Sequence, residues 1–315
     1  PYGACLLGSF NMTRYLHKGS DGTFYFNFQQ LRNDIPHVVR AMDNVIDRTV
    51  YPLPQQKEEA QSKRRMGLGV TGMANALSVM KYRYGSEDYI QMQEHIMGII
   101  RDAAYTSSVE LSIEKGPFPL FDTKLLASEF AKTLPEGIRE MIQKHGLRNS
   151  HLLSIAPTGT ISLTANNVSS GIEPVFSTSY KRTIQTFEGP REELVEDYAM
   201  REWGHKCVTA DELRVFDHVA VINSASKFVD SACSKTCNVG AEVTWDEFKS
   251  VYMQAYEGGS SGCTTFRANG MRYGILNAAS SEDIVEEKEP EVDDGFIEEG
   301  GACYFDPATG LRTCE

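Results

Sequence analysis

Apolar residues recur along this chain at two spacings, one helical and one strand-like. Leu31, Ile35, Val38, Val39, Met42, Val45 and Ile46 share one face of a predicted helix that should end before Pro52. Residues 64–81 begin Arg-Arg-Met-Gly-Leu-Gly-Val-Thr-Gly-Met, and Gly67, Gly69 and Gly72 predict a strand or turn packed closely ahead of a helix. A long helix follows, with Tyr89, Ile96, Ile100, Ala103, Ser107 and Leu111 near one face and Gly116-Pro117 as its stop. Leu152 to Ala156 is a short apolar run that ends in the loop Pro157-Thr158-Gly159-Thr160, and His218-Val-Ala-Val-Ile222 reads as a buried strand. Thr244-Trp-Asp-Glu247 is a capping box. It opens a helix with Phe248, Val251, Tyr252 and Ala255 on one face, closed by Gly258 and Gly259, and Gly262 to Phe266 predicts one more strand. Strands that alternate with helices imply an α/β fold.

Composition changes this picture in two places. The chain has 315 residues, 41% hydrophobic and 23% charged, enough for a sizeable core. No apolar run approaches the roughly 18–20 residues of a membrane span. The net charge of −12 is uneven: ten acids against one lysine give residues 282–299 a charge of −9, which leaves −3 for everything else. A nearly neutral body has no basic footprint for a nucleic-acid polymer. Residues 278–300, acidic and carrying Pro290, predict a flexible solvated linker. The seven cysteines are odd in number and no secretion signal precedes them, which favours a reducing cytoplasm over a disulfide scaffold. The first residues, Pro-Tyr-Gly-Ala-Cys, lack a Met, as a fragment or processed product would.

Two segments carry candidate chemistry. After the run at 152–156, Gly159 permits close backbone approach, and Thr158, Thr160 and Ser162 offer hydroxyls to anionic oxygens. If a helix begins there, its free N–H groups favour phosphate. Alone, the pattern is more often an ordinary helix cap. At the far end, Cys303 and Cys314 flank the turn-rich Asp306-Pro307-Ala308-Thr309-Gly310. A dithiol on a tether reduces a distant disulfide by exchange. A zinc clip would need about two more ligands, and the tail has no His. Cys5, in the apolar Gly3-Ala-Cys-Leu-Leu-Gly-Ser-Phe-Asn11, reads as a buried small hydrophobe on its own. Cys233, Cys237 and Cys263 read as core packing, and no pair of histidines has metal-ligand spacing.

In order along the chain, several segments resemble one family. Ala4-Cys-Leu-Leu-Gly-Ser9, Arg64 to Gly72, Arg148 to Ser162, Ser169-Ser-Gly-Ile-Glu-Pro174, Ser234-Lys-Thr-Cys-Asn-Val239 and Gly262 to Gly270 are similar to the catalytic subunit of class II ribonucleotide reductases, over about residues 1–277 and the cysteine tail. The resemblance implies the C-terminal half of a ten-stranded α/β barrel, residues 1–277, followed by an acidic linker and redox tail, residues 278–315. It also implies that ribonucleotides, as diphosphates, are reduced to 2′-deoxyribonucleotides by radical chemistry. It assigns Pro157, Thr158, Gly159, Thr160, Ile161 and Ser162 to the substrate phosphates, Cys5 to the second cysteine of a reducing pair, and Cys303 and Cys314 to a shuttle that restores it. Adenosylcobalamin is the implied cofactor, a thioredoxin- or glutaredoxin-type protein the implied reductant, and an oligomer the implied assembly, with no nucleic-acid polymer or membrane as partner.

The family's finger-loop Asn-x-Cys-x-Glu motif, which carries the thiyl-radical cysteine upstream of Cys5, does not occur here. The resemblance therefore implies an N-terminal half as a partner. Class I enzymes carry adjacent tyrosines where this chain has Thr265-Phe266, and phenylalanine has no phenolic hydrogen to lose, which favours class II. The usual Tyr and Pro of class II are replaced by Phe266 and Ala268. The alternatives are a non-catalytic nucleotide-binding scaffold derived from the fold, which would have no use for a shuttle, and a fragment of a class I large subunit.

Overall fold

A computed structural model describes residues 2–187, 189–240 and 243–267, together with strands at 276–278, 303–305 and 312–314. The side chains of 182–186 and of those last three strands lie outside the description, as does most of the expected acidic linker. The backbone divides into two units, Pro1–Ala278 and Ala279–Glu315.

In chain order the first unit contains β1 (Leu6–Asn11), β2 (Leu16–Lys18), β3 (Phe24–Phe26), α1 (Phe28–Arg48), α2 (Pro54–Lys63) and β4 (Met66–Thr71). It continues with α3 (Met73–Val79), α4 (Glu87–Lys115), α5 (Glu129–Lys132), α6 (Glu136–His145) and α7 (Gly159–Thr164). A hairpin, β5 (Ser179–Thr186) and β6 (Gly189–Glu196), precedes α8 (Tyr198–Trp203) and α9 (Val215–Ser226). Then come β7 (Thr236–Asn238), α10 (Trp245–Glu257), β8 (Thr264–Phe266) and β9 (Leu276–Ala278), which adds to β5.

Five parallel segments lie side by side in sequence order. β1 pairs with β4 over its full length, Leu68 bridges Leu153, Ile155 bridges Cys233, and β7 pairs with β8. Each passage from one segment to the next crosses through at least one helix, as parallel pairing requires. This is an α/β half-barrel in connectivity; no closed ten-stranded ring is present among the described residues.

The helices form where the pattern placed them. Leu31, Ile35, Val39, Met42 and Ile46 of α1 are buried, and the Thr49 N–H caps the helix end on the Val45 carbonyl. Ser86 accepts the Tyr89 N–H to start α4, Glu87 and Asp88 face the positive end of its dipole, and Gly116 at φ 84° ends it. α1 and α4 pack together over β4, every residue of which is buried. Met66, Leu68, Val70, Ile96, Met97, Ile100, Leu153 and Ile155 complete that core. Gly67 and Gly69 are required by close approach: a Cβ on Gly69 would stand 2.3 Å from the Ser154 carbonyl oxygen.

Asp43, fully buried near the end of α1, fixes the start of two strands. Its carboxylate accepts Arg64 Nε at 2.9 Å, Asn149 Nδ2 at 3.1 Å and Arg148 Nε at 3.3 Å. Arg64 leads into β4, and Arg148 and Asn149 lead into the segment at 152–156.

One element departs from its sequence expectation. His218 to Ile222 is not a strand but the middle of α9, whose buried residues include Val215, Asp217, His218, Val219, Val221, Ile222 and Ala225. A helix enclosed on most sides shows an unbroken apolar run, which periodicity cannot tell from a buried strand. Length decides: the pattern continues for 12 residues, too long for an ordinary buried strand.

In the second unit, β10 (Cys303–Phe305) and β11 (Arg312–Cys314) pair antiparallel, and the register sets Cys303 opposite Cys314.

Candidate functional site

At the carboxyl ends of the parallel segments, where ligands bind open α/β sheets, lies a cavity of about 690 Å³. Pro157, Gly159, Thr160 and Ser162 form one wall. Glu173, Thr236, Asn238 and Thr264 to Phe266 form others, with Phe176, Tyr180 and Asp197 beside them. Segments up to about a hundred residues apart in sequence meet here: the loop at 157–162 follows one parallel segment, β7 and β8 supply two more, and Tyr180 comes from the separate hairpin strand β5.

The loop is built before any ligand is considered. Thr158 is a non-glycine residue in the left-handed region, φ 54°, and serves as the N-cap residue of α7. Its Oγ1 accepts the Gly171 N–H at 2.7 Å and pairs with Thr71 Oγ1 at 3.1 Å. Thr71 Oγ1 bonds the Ser169 carbonyl at 3.0 Å, and the Gly72 N–H reaches the same carbonyl. Ser162 Oγ donates to the Gly159 carbonyl and adjoins Ser170 Oγ, both at 3.1 Å. Two of the three hydroxyls expected to meet an anion therefore brace the loop instead. Gly159, Thr160 and Ile161 are exposed, and the N–H groups of a first helical turn have no partner within the helix.

Sequence reasoning gave no role to Glu173 or Lys235, although both stood in the quoted segments. Lys235 is fully buried. Its Nζ donates to Glu173 Oε2 at 2.6 Å, to the Thr236 carbonyl at 3.0 Å and to His218 Nδ1 at 3.1 Å, and lies 5.5 Å from the centre of the Tyr84 ring. Glu173 Oε1 accepts the Thr236 N–H at 2.6 Å. This pair stitches the 169–174 loop to β7. Burial, helped by the Lys235 charge, pushes the His218 imidazole down to about 3, so the ring is neutral and accepts the lysine proton at Nδ1. No spacing rule joins residues 173, 218 and 235; the fold does. Asp197 is held by donors on every side: Asn75 Nδ2 at 2.8 Å and the Ala199 N–H at 2.9 Å, at the start of α8.

Cys5 stands elsewhere. It is exposed rather than buried, immediately before β1. By register it is level with Arg65, at the amino end of the sheet. Six or seven residues at roughly 3.3 Å each put it about 20 Å along the strand direction from the loop. Partial desolvation of its sulfur pushes the thiol pKa up; Arg65 opposes the shift and Asp230 adds to it. Asp230 is half-buried, accepts the Leu152 and Leu153 N–H groups at 2.7 and 3.1 Å and the Tyr105 hydroxyl at 2.7 Å, and its pKa is raised by desolvation of the carboxylate. Cys303 and Cys314 belong to the second unit. No cluster of three or more His, Cys, Asp or Glu with metal-binding geometry occurs among the described residues, and no helix among them is long and apolar enough to cross a membrane.

Parallel α/β segments with a cavity and a helix-starting loop at their carboxyl ends define an α/β class of fold with a small-molecule-sized site, and comparison gives the family. Residues 2–266 match the profile described as "Ribonucleotide reductase, barrel domain", and the chain belongs to that family. It is similar to the vitamin B12-dependent ribonucleoside-diphosphate reductase of Mycobacterium tuberculosis (strain CDC 1551 / Oshkosh), 30% identical over 97% of this chain and 45% of the relative. It is also similar to the enzyme of the same name from Thermoplasma acidophilum, 30% identical over 100% of this chain and 43% of the relative. Ribonucleoside-diphosphate reductase large chain 2 of Saccharomyces cerevisiae is 27% identical over 63% of this chain and 24% of its own length. The chain spans less than half the length of these relatives.

Proposed function

We propose that this chain is the substrate-holding half of a ribonucleotide reductase that converts ribonucleoside diphosphates to 2′-deoxyribonucleoside diphosphates in the cytoplasm. The observation that carries the reading is the cavity that joins Pro157 to Ser162, Glu173, β7 and β8 at one end of the sheet. Its volume lies within the roughly 300–1,000 Å³ of small-ligand sites. The substrate diphosphate sits at Pro157, Thr158, Gly159, Thr160, Ile161 and Ser162, with the exposed N–H groups of 159–161 and the Thr160 hydroxyl as donors. Thr158 and Ser162 hold those donors in place.

The N-terminal half, a partner in this reading, supplies the radical cysteine and the first reducing cysteine. Cys5 is the second. The ribose 2′-oxygen leaves as water while the two thiols become a disulfide, and Cys303 and Cys314, on the tail at 278–315, reduce that disulfide by exchange. A thioredoxin- or glutaredoxin-type protein then reduces the tail. The backbone register that sets Cys303 opposite Cys314 supports their acting as a pair.

Adenosylcobalamin is the proposed radical source, in keeping with the relatives from M. tuberculosis and T. acidophilum, which are named vitamin B12-dependent. It would supply hydrogen abstraction without a tyrosyl relay, and Phe266 on the cavity wall fits that, since its ring has no phenolic hydrogen. A corrin exceeds the cavity, so no described residue is assigned to hold it.

The test is reconstitution. This chain, co-expressed with an N-terminal half that carries the finger-loop motif, should form deoxyribonucleoside diphosphate only when adenosylcobalamin and a dithiol are present. A folded complex that yields no product with any radical source overturns the reading. Turnover that requires a metal-radical subunit moves the chain to class I.

A further inference from the structure

Cys237 and Cys263 have no part in the reading above. Cys237 is the middle residue of β7, fully buried between Thr236 and Asn238, which both line the cavity. Cys263 is partly exposed and immediately precedes β8. The two strands run parallel, with Thr236 opposite Thr264 and Cys237 opposite Thr265, and the Thr264 N–H bonds the Lys235 carbonyl at 3.1 Å. Carried one residue back, the register sets Cys263 opposite Lys235. The period of two along a strand then puts Cys263 on the same face as Cys237. Both side chains enter one small core with Val215, Val219, Val239, Val251 and Ala255. The thiols adjoin there and act on each other. Burial holds the Cys237 thiol at about 12. Burial also raises Cys263, but the neighbouring Cys237 acts against that rise. Cys263 is therefore the thiol that ionises and meets reagents first.

We propose that Cys237 and Cys263 form an oxidisable pair that closes to an intrachain disulfide and ties β7 to the residue leading into β8, at the wall of the cavity. With a peroxide as oxidant the balance is complete. The Cys263 thiolate attacks one peroxide oxygen, becomes a sulfenic acid and releases hydroxide, which takes up the thiol's proton as water. The Cys237 sulfur then attacks the Cys263 sulfur, the S–O bond breaks, and the departing hydroxide takes the Cys237 proton as a second water. Two electrons pass from the dithiol to the peroxide.

The closure has a structural consequence. Diagonal neighbours on paired strands have Cα atoms roughly 7–8 Å apart, and a disulfide needs about 5.5–6 Å. Residue 263 lies just outside the regular strand, so it is the part that moves, and Thr264 on the cavity wall moves with it.

The experiment treats the full chain with hydrogen peroxide, alkylates the remaining thiols and digests with trypsin without reduction. Cleavage isolates Cys237 in residues 236–249 and Cys263 in residues 250–267. The expected result is one cross-linked species lighter by two hydrogens, with loss of both thiols, reversal by dithiothreitol, and absence in Cys237→Ser and Cys263→Ser. Amide exchange at Val239 and Thr264, whose N–H groups bond across the two strands, should slow on oxidation. Peptides that stay separate while exposed Cys5 is oxidised by the same dose overturn the proposal, and so does a Cys263 that goes on to sulfinic acid without linking. Neither nucleotide nor turnover enters the readout, so a failed reconstitution would sink the reductase reading and leave this one standing.

Discussion

The carboxyl and amino ends of the parallel sheet are made of the same strands, yet only one is finished. At the carboxyl end Thr158, Ser162, Glu173 and Lys235 bond to Gly171, Thr71, Ser170 and Thr236, and these bonds hold the cavity wall together. At the amino end Cys5 stands exposed beside Arg65 and Asp230, and Leu7, 56% exposed, has nothing over it among the described residues. A parallel sheet is normally covered on both faces. In the proposed reading this difference assigns substrate holding to this half, whereas the reducing thiol, Cys5, needs another segment to complete its surroundings.

The comparison breaks first at Lys235 if it breaks at all. Lys235→Met removes the cation from a buried pair and leaves the Glu173 carboxylate with the Thr236 N–H as its remaining partner. A loss of about 3 kcal/mol is expected, read as a lower urea midpoint with weakened nucleoside-diphosphate binding. Stability near that of the parent would mean that the carboxyl end is not held by this pair.

The loop divides its hydroxyls in a way that two variants separate. Thr158→Val strands the Gly171 N–H in a buried site and should cost about 2 kcal/mol. Thr160→Val changes an exposed side chain, so stability should stay within about 0.5 kcal/mol while nucleotide affinity falls. Equal destabilisation by both would erase the distinction between bracing and binding hydroxyls.

His218 gives the carboxyl end a pH signature. Its folded pKa, about 3, lies below the unfolded value near 6.5. The unfolded chain thus takes up the proton first as pH falls. The stability that the neutral ring contributes is full above about pH 6.5 and is lost progressively down to about 3, at roughly 1.4 kcal/mol per pH unit. Urea unfolding at pH 7.0, 6.0 and 5.0 should show His218→Gln losing less than the parent over that span. Parallel slopes would mean that the ring takes up its proton at the same pH in the folded and unfolded chain.

Much of this was legible before any coordinates. The helices at 28–48, 87–115 and 245–257 announced themselves through periodicity, the Thr244 cap and glycine stops, because those signals are local. The strand at 66–71 followed from glycines that a close neighbour demands. The segment at 218–222 was misread because burial on all sides erases the period that separates helix from strand. Within the site, the loop at 157–162 was visible as a pattern, but the division of labour among its hydroxyls was not. Thr71, Gly171 and Ser170 come to it from other parts of the chain. Lys235 and Glu173 are 62 residues apart, and nothing in either neighbourhood marks the other. Cys5 looked like a core residue because its flanks are apolar, although those flanks belong to a strand whose approach is open here.

The smallest expected effect tests the unfinished end directly. With iodoacetamide at neutral pH, exposed Cys5 should be alkylated before Cys207, Cys233 and Cys237, which are buried. Its raised thiol pKa keeps the rate modest, so labelling should quicken as pH rises, since the thiolate is the nucleophile. Addition of the N-terminal half should then slow Cys5 selectively and leave Cys263 unchanged, because only the amino end of the sheet gains cover. Equal protection of both cysteines would place the partner across the whole sheet, and no protection of Cys5 would mean that its environment is already complete in this chain.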